Sequence, residues 1–467
     1  MKQRNVLWKK QSDSILLILL ESGGSTSMMT KYQELPIHIA LKNESTSEAH
    51  FRDINLLLQR CKTIDTSHMN SSLIMAAKFC NFEIIDKIIK LGADVNFKNG
   101  DGNTALHTYM DCLDFDLKVV STMLQHGATF NELNDSMETP LMRYIIRGRR
   151  EVLTENVVFM VDNGADVNIC GDRRNSALIL AITNDIPEIV ETLIKAKANV
   201  NHIGENGNTA LHLVLAKGHT SHSKVSSKDT KNSIPLLDCL LKEHPRLDVK
   251  DQDDETPLTK VFKHLNKGYF YRGDELTEVC YILRRLLDAG AFSSQDDLNK
   301  ALVTVAKKGD FVTMKSLVGH GANKHVQDNR SNTVLHLCWC EAKSNIMEVV
   351  ARLLKGNSLL FGLNDSGKSS LYLATAMSRN RYHYGKRLER ENNSEVVQLL
   401  LKYGENPNQH LEYIPLVLAI EEGDVSTTNL LLNAGANVNV VNKDGKTCLH
   451  ILFTRDFDTG QLCFLCF

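Results

Sequence analysis

Eight consecutive residues of this chain have the types and spacing to hold a phosphate. Gly362-Leu-Asn-Asp-Ser-Gly367-Lys368-Ser369 has the form G-x-x-x-x-G-K-S, a loop whose backbone amides and lysine cradle phosphate groups. Apolar residues 358–361 precede it and a helix-forming stretch follows. Phosphate chemistry also needs the loop to join a strand of a parallel sheet to a helix, and no alternating strand–helix pattern surrounds this one. Instead Gly367-Lys368-Ser369 aligns with Gly445-Lys446-Thr447 of a later segment. There a glycine closes a turn and a hydroxyl residue starts a helix. The expectation is therefore a helix-start turn, with no nucleotide and no other cofactor.

Histidine is the next candidate, as a general acid or base. His38, His107, His212, His336 and His450 each follow Leu or Ile in a similar context. A catalytic histidine would be singular, whereas these are periodic, so a structural role is expected. His336, Cys338 and Cys340 are close in sequence, and Cys463 and Cys466 stand near the end. Neither set has a second ligand pair at zinc-like spacing, so no metal is expected. The chain contains no Gly-x-Ser-x-Gly elbow, His-Glu-x-x-His helix or kinase signature. The expectation is a protein that is not an enzyme.

What positions these residues is a repeat. Gly-Ala-Asp-Val-Asn occurs at Gly92–Asn96 and again at Gly164–Asn168, with variants at Gly127–Asn131, Ala196–Asn201, Gly404–Asn408 and Gly435–Asn439. A second landmark is a helix start: Leu35–Ala40, Ser71–Ala77, Thr104–Tyr109, Thr139–Tyr144, Ser176–Ala181, Thr209–Val214, Thr256–Val261, Thr333–Cys338, Ser369–Ala374, Ile414–Ala419 and Thr447–Leu452, with a degenerate copy at Lys300–Ala306. The spacings Leu73 to Leu106, Leu178 to Leu211, Leu302 to Leu335 and Leu416 to Leu449 are all 33 residues.

These starts, at this period, resemble the T-P-L-H-x-A motif of ankyrin repeats. The resemblance runs from about Ser14 to about Leu452 and implies about eleven to twelve units. The implied fold is an all-α repeat solenoid of stacked helix-turn-helix units joined by short β-hairpin loops. Each part has a physical reason. Ser or Thr caps the first helix, and Pro36, Pro140, Pro257 and Pro415 sit where no N–H is needed. Apolar residues recur at helical spacing in second helices such as Glu83–Gly92 and Glu395–Gly404. Gly92, Gly127, Gly164, Gly290, Gly321, Gly404 and Gly435 end those helices in a left-handed conformation. Stacking then supplies the core that one unit lacks.

With 54 basic and 56 acidic residues the net charge is −2, which argues against a general nucleic-acid or membrane field. The eleven cysteines are scattered, as reduced core thiols would be, and point to the cytoplasm or, equally compatible with thiols, the nucleus. Ile15–Leu20 follows four basic residues but is too short for a signal h-region and is interrupted by Glu21. The expected organisation is a half repeat or cap at 1–33, a solenoid at 34–445 and an incomplete repeat at 446–467. A chain that opens and closes on partial repeats is expected to be a fragment, an alternative product or an incomplete gene model.

Three units are longer than the period. Leu211 to Leu258 spans 47 residues, Leu258 to Leu302 spans 44, and Leu371 to Leu416 spans 45. The extra residues fall between the two helices, near 218–233, 264–276 and 378–392. The last two segments carry Tyr269, Phe270, Tyr271 and Arg272, and Arg379, Arg381, Tyr382 and Tyr384. Tyr and Arg are residue types of interface hot spots, although surface loops also drift in length at small cost. The resemblance implies binding of protein partners on a concave surface of hairpin tips and first helices. By register the tip residues are Asn99, Asp101, Asn134, Asp172, Asn206, Asp251, Asp365 and Asp444. The expected function is a scaffold or adaptor for protein partners, with no nucleic acid, small-molecule substrate or membrane insertion. The alternative is an ankyrin arm of a larger protein: a ubiquitin-ligase substrate receptor, a channel or a signalling enzyme.

Overall fold

The computed structural model describes residues 15–43, 47–60, 65–78, 81–112, 115–147, 154–217, 233–266, 273–339, 346–354, 362–376, 391–409 and 412–454. Its contacts fall into two compact units, Met1–Asp254 and Glu255–Phe467. Each is a row of antiparallel helix pairs. In the first, Ala177–Thr183 with Pro187–Lys195 and Ala210–Lys217 with Ser233–Lys242 stack first helix on first helix and second on second. In the second, Ser370–Ala376 with Glu391–Lys402 and Pro415–Glu422 with Val425–Asn433 do the same.

The local rules hold at most positions. Thr139, Ser176, Thr256 and Ser369 accept a hydrogen bond from the amide three residues on, which satisfies one orphan donor of the first turn. Pro36, Pro140, Pro257 and Pro415 each open a helix. The seven glycines expected to end the second helices all have φ between +87° and +100°. The period-anchoring leucines Leu73, Leu178, Leu302 and Leu335 are buried. Leu449 is the exception at 58% exposed, and the same helix, Cys448–Thr454, also presents Leu452 and Phe453 to solvent.

Two helix starts differ from the expectation. The helix containing Ser71–Ala77 begins at Thr66 after the N-cap Asp65. The one containing Lys300–Ala306 begins at Gln295 after Ser294, which accepts from the Asp297 amide. Neither stretch holds a Gly or Pro to break the helix, so the turn that would have formed the tip is helical instead. The hairpin loops are also shorter than paired strands. Among the described residues there is no strand; isolated antiparallel bridges, Gln327 with Thr333, Leu363 with Ser369 and Val441 with Thr447, close the turns.

The expanded segments lie between helices Ala210–Lys217 and Ser233–Lys242, Pro257–Asn266 and Gly273–Asp288, and Ser370–Ala376 and Glu391–Lys402. In the second case the helices extend into the expected insertion: residues 264–266 end one and 273–276 begin the next, which reaches 16 residues. Tyr269, Phe270, Tyr271, Arg272, Arg379, Arg381, Tyr382 and Tyr384 lie outside the described residues.

Candidate interaction surface

The residues whose types suggested chemistry are occupied by the fold. His107 is fully buried. Its Nε2 lies 2.9 Å from the carbonyl oxygen of Glu138 in the next unit, so this nitrogen carries the proton and donates. Its Nδ1 then accepts from the Thr104 hydroxyl at 2.9 Å and from the Thr104 amide at 3.2 Å. His336 repeats the arrangement with Thr333 at 2.7 Å and the carbonyl of Lys368 at 3.0 Å. His38 reaches the His68 carbonyl at 3.0 Å. Burial lowers the pKa of all three, which keeps the neutral, bridging tautomer at neutral pH. His450 keeps its local bond to Thr447 at 2.7 Å but is exposed.

The phosphate-like loop is filled in the same way. The amides of Ser366 and Lys368 both donate to Asn364 Oδ1 at 3.0 Å, and the Gly367 amide donates to the Asn364 carbonyl at 2.8 Å. Ser369 is buried and caps the seven-residue helix Ser370–Ala376. Lys368 Nζ lies 5.2 Å from the ring centre of Tyr413, and that ring packs edge-on against Tyr372, a cation–π stack. The donors a phosphate would use are bound to the turn itself.

The tip residues divide by one or two positions of register. Asp101, Asp172, Asn206, Asp365 and Asp444 are exposed at the ends of the turns. Asn134 and Asp251 are not: they are 4% and 8% exposed. Asn134 Oδ1 accepts from the Glu138 amide and Asp251 Oδ1 from the Asp253 amide. The half-buried Asn99 likewise accepts from the amides of Asp101 and Asn103. These three belong with Asn364 and Asn442 as Asx residues that close the turn from its base. Contrary to the expectation, these three close their turns rather than present their side chains. Asp328 is another of this kind. Burial would raise its pKa, but the amides of Arg330 and Asn332, the Asn332 side chain and Lys307 hold it down at about 2.

Adjacent tips are tied through the backbone: Asp135 N–H donates to the Asp101 carbonyl, Gln252 N–H to Asn206, and Asp365 N–H to Arg330. Charged side chains also pair between units: Arg143 binds Asp111 at 2.8 Å, Lys98 binds Glu132 at 2.8 Å and Arg173 binds Glu205 at 3.3 Å, while Arg143 also binds Glu138 of its own unit at 3.1 Å.

Two devices escaped the sequence reading. The first is the last residue of Gly-Ala-Asp-Val-Asn. Asn131 Nδ2 donates to the Gly164 carbonyl at 2.9 Å while its Oδ1 accepts from the Asp166 amide at 2.8 Å. Asn168 and Asn408 make the same pair of bonds to the unit that follows. In the units with early helix starts, Asn70 and Asn299 accept the corresponding amide at 2.6 and 2.7 Å. The recurrence of Asn was visible; its partners, about one period away, were not.

The second is Glu405, 2% exposed. Its Oε1 accepts from the Leu371 amide at 2.8 Å, and Oε2 is buried with no hydrogen-bond partner. Burial raises its pKa from 4.5 to about 7 against the opposing pull of the Leu371 amide. Among the described residues no cluster of His, Cys, Asp or Glu could hold a metal ion, and no helix is long and apolar enough to cross a membrane.

Comparison with known proteins agrees with this architecture. The family model for ankyrin repeats (3 copies) matches residues 153–225 and 387–458. An ankyrin repeat and KH domain-containing protein, mask-1, of Caenorhabditis elegans is 32% identical over 156 residues, 33% of this chain and 5% of that one. An ankyrin repeat protein of Acanthamoeba polyphaga mimivirus is 26% identical over 64% of this chain and 34% of its own length. Rabankyrin-5 of Homo sapiens is 24% identical over 72% of this chain and 31% of its own. The chain thus spans about a third or less of these relatives. Among solved structures, the ankyrin repeat domain of Bcl-3 aligns with a TM-score of 0.38 at 21% identity, over 53% of this chain and 98% of that one. With its helix pairs, left-handed glycines and inter-unit histidines, the chain carries ankyrin repeats.

Proposed function

We propose that the chain is a non-enzymatic scaffold or adaptor that binds protein partners through its hairpin tips and first-helix face, with the expanded segments adding specificity. One observation carries this reading. The groups with catalytic potential, His107, His336 and the loop around Lys368, are bonded into the fold. Asp101, Asp172, Asn206, Asp365 and Asp444 are left facing solvent on connected tips. Tips are where ankyrin units vary without disturbing their stack. The free thiols of the described cysteines, with Cys280 and Cys338 buried, support a cytoplasmic or nuclear setting. Nucleic acid and small-molecule substrates are not part of this reading.

Quantitative affinity capture from cell extract tests it, using the intact chain, a variant with Asp101, Asp172, Asp365 and Asp444 changed to Arg, and chains shortened in the three expanded segments. Loss of a specific protein with retained thermal unfolding supports the proposal. Equal capture by all of them, or nucleotide turnover that disappears in Lys368→Ala, overturns it.

A second reading treats these repeats as one arm of a longer protein. It is favoured by relatives of which this chain covers 5% to 34%. Sequencing the transcript past the Phe467 codon tests it: a catalytic, channel or ligase-docking domain in frame supports the arm, and an immediate stop in every transcript refutes it.

A further inference from the structure

Two second helices leave a groove on the outside of the first unit. It lies between Thr154–Asp162 and Pro187–Lys195, has a volume of about 520 Å³, and is lined by Val158, Val161, Pro187, Thr192 and Ala196 among others. These are small or β-branched residues, so the two helices meet along their inner faces while their outer edges stay apart. Val158 is 44% exposed, an apolar side chain on a face that otherwise meets water. Three carboxylates, Asp162, Glu188 and Glu191, line the groove against one cation, Lys195.

What distinguishes the groove is that, among the described residues, its carboxylates carry no ion pair. On the helix Phe82–Lys90 the outward Asp86 is paired with Lys90 at 2.7 Å. Elsewhere in this unit Asp111, Glu132, Glu138 and Glu205 all have basic partners. None of Asp162, Glu188 and Glu191 has an ion-pair partner among the described residues. A comparable groove between Glu391–Lys402 and Val425–Asn433 is about half that volume, at about 260 Å³, and its lining, Gln398, Leu401, Lys402, Leu430, Asn433 and Ala434, carries no acid. Of these two grooves, apolar floor and unpaired acidic rim coincide in the first.

We propose that this groove docks a basic amphipathic helix of a partner protein, with aliphatic side chains seated over Val158 and Val161 and Lys or Arg side chains meeting Glu188, Glu191 and Asp162. The room is that of a few aliphatic side chains, which suits a helix laid across two others by one face. Complementary charge would steer and register the segment more than tighten it. The site uses neither the hairpin tips nor the expanded segments, so it is independent of the function proposed above.

The test uses the full chain and a fluorescent peptide of about 15 residues, Leu and Lys in helical register. Two controls replace every Lys by Glu, or every Leu by Ser. Binding is followed by anisotropy at low and high salt. We expect saturable binding of the Leu–Lys peptide alone, weakened by salt, and reduced at least tenfold by Glu188→Lys with Glu191→Lys and by Val158→Asp. Hydrogen exchange at residues 187–196 should slow on binding. Because all three substituted residues face solvent, thermal unfolding should be unchanged, and a variant that melts early is replaced by the milder Glu188→Gln with Glu191→Gln. Binding within twofold of wild type in the charge variants overturns the proposal, as does equal binding of the Ser-containing control, which would mean charge alone. Self-association of the chain that the same substitutions abolish would also overturn it, since a second copy would then be the occupant.

Discussion

The unit that closes at Gly164-Ala165 and the unit that closes at Gly404-Glu405 have one backbone and different side chains. Their glycines sit at φ +93° and +94°. In both, the next amide turns back to the last helical turn, Ala165 N–H to Met160 and Glu405 N–H to Leu400. The slot after the glycine is buried in each. Alanine fills it at 93, 128, 165, 291, 322 and 436, and glutamate fills it at 405. The glutamate spends its reach on the Leu371 amide, at the start of the first helix of its own unit. That unit is one whose two helices are separated by an expanded segment. Longer connections make closure entropically harder, by about 0.6 kcal/mol per doubling. Glu405 supplies a direct link where the chain's own connection is long. The comparison teaches that the slot is structural and that a polar side chain enters it only with a backbone donor to meet.

The most severe way to break this comparison is to move the glutamate. Ala165→Glu places a carboxyl in a slot that has held only a methyl group, and should cost at least about 3 kcal/mol at pH 8 in urea unfolding. A neutral effect would show that the slot tolerates charge anywhere.

Glu405 itself should make stability depend on pH. Its folded pKa, about 7, is above the ordinary 4.5, so the folded chain holds the proton more tightly. Its contribution is complete below pH 4.5 and is lost as pH rises through 7. The difference between pH 4.5 and pH 8 is about 3 kcal/mol. Glu405→Gln cannot titrate, and its unfolding free energy should lack that slope in parallel denaturation series. An unchanged slope would assign the pH dependence to another group.

Smaller and equal effects should follow where the two units agree. Gly164→Ala and Gly404→Ala should each cost about 1–2 kcal/mol in chemical denaturation, and the cost is conformational because an added Cβ meets no atom within 4 Å at either site. A twofold difference between them would mean that the turns are not equivalent. Asn131→Ala and Asn408→Ala each remove a matched pair of inter-unit bonds, and should lower stability by about 1 kcal/mol, measured by melting in the same buffer.

The helix pairs, the left-handed glycines and the role of the histidines could be read from the sequence because they depend on neighbours within a few residues and on a fixed period. The Gly362–Ser369 loop was resolved for the same reason: its register matched Gly445–Thr447. The tips were less legible. Turn-closing Asn99, Asn134 and Asp251 and presented Asp101, Asp365 and Asp444 are the same residue types one or two positions apart, and only burial separates them. Helices starting at Thr66 and Gln295 depart from the 33-residue register, and only the local capping pattern of Ser294 and Asp297 marks the second of them in the sequence. Glu405 passed as one more variant of the motif. Its significance depends on what lies 34 residues earlier, which a linear pattern does not display.

The asparagine bonds have a direction with a genetic consequence. Asn168 accepts from the Asn199 amide, and Asn201 accepts from the Arg246 amide, each reaching forward. A cut just after one such asparagine, joined to the residue just after the next, therefore leaves every remaining seam a matching donor. A chain lacking residues 169–201 should fold cooperatively, with Asn168 inheriting the Arg246 amide, whereas a chain lacking only about half a period, residues 169–184, should not. Circular dichroism melts of the two deletions would tell them apart. The asparagines mark the joints at which this gene could gain or lose whole units without relearning how to fold.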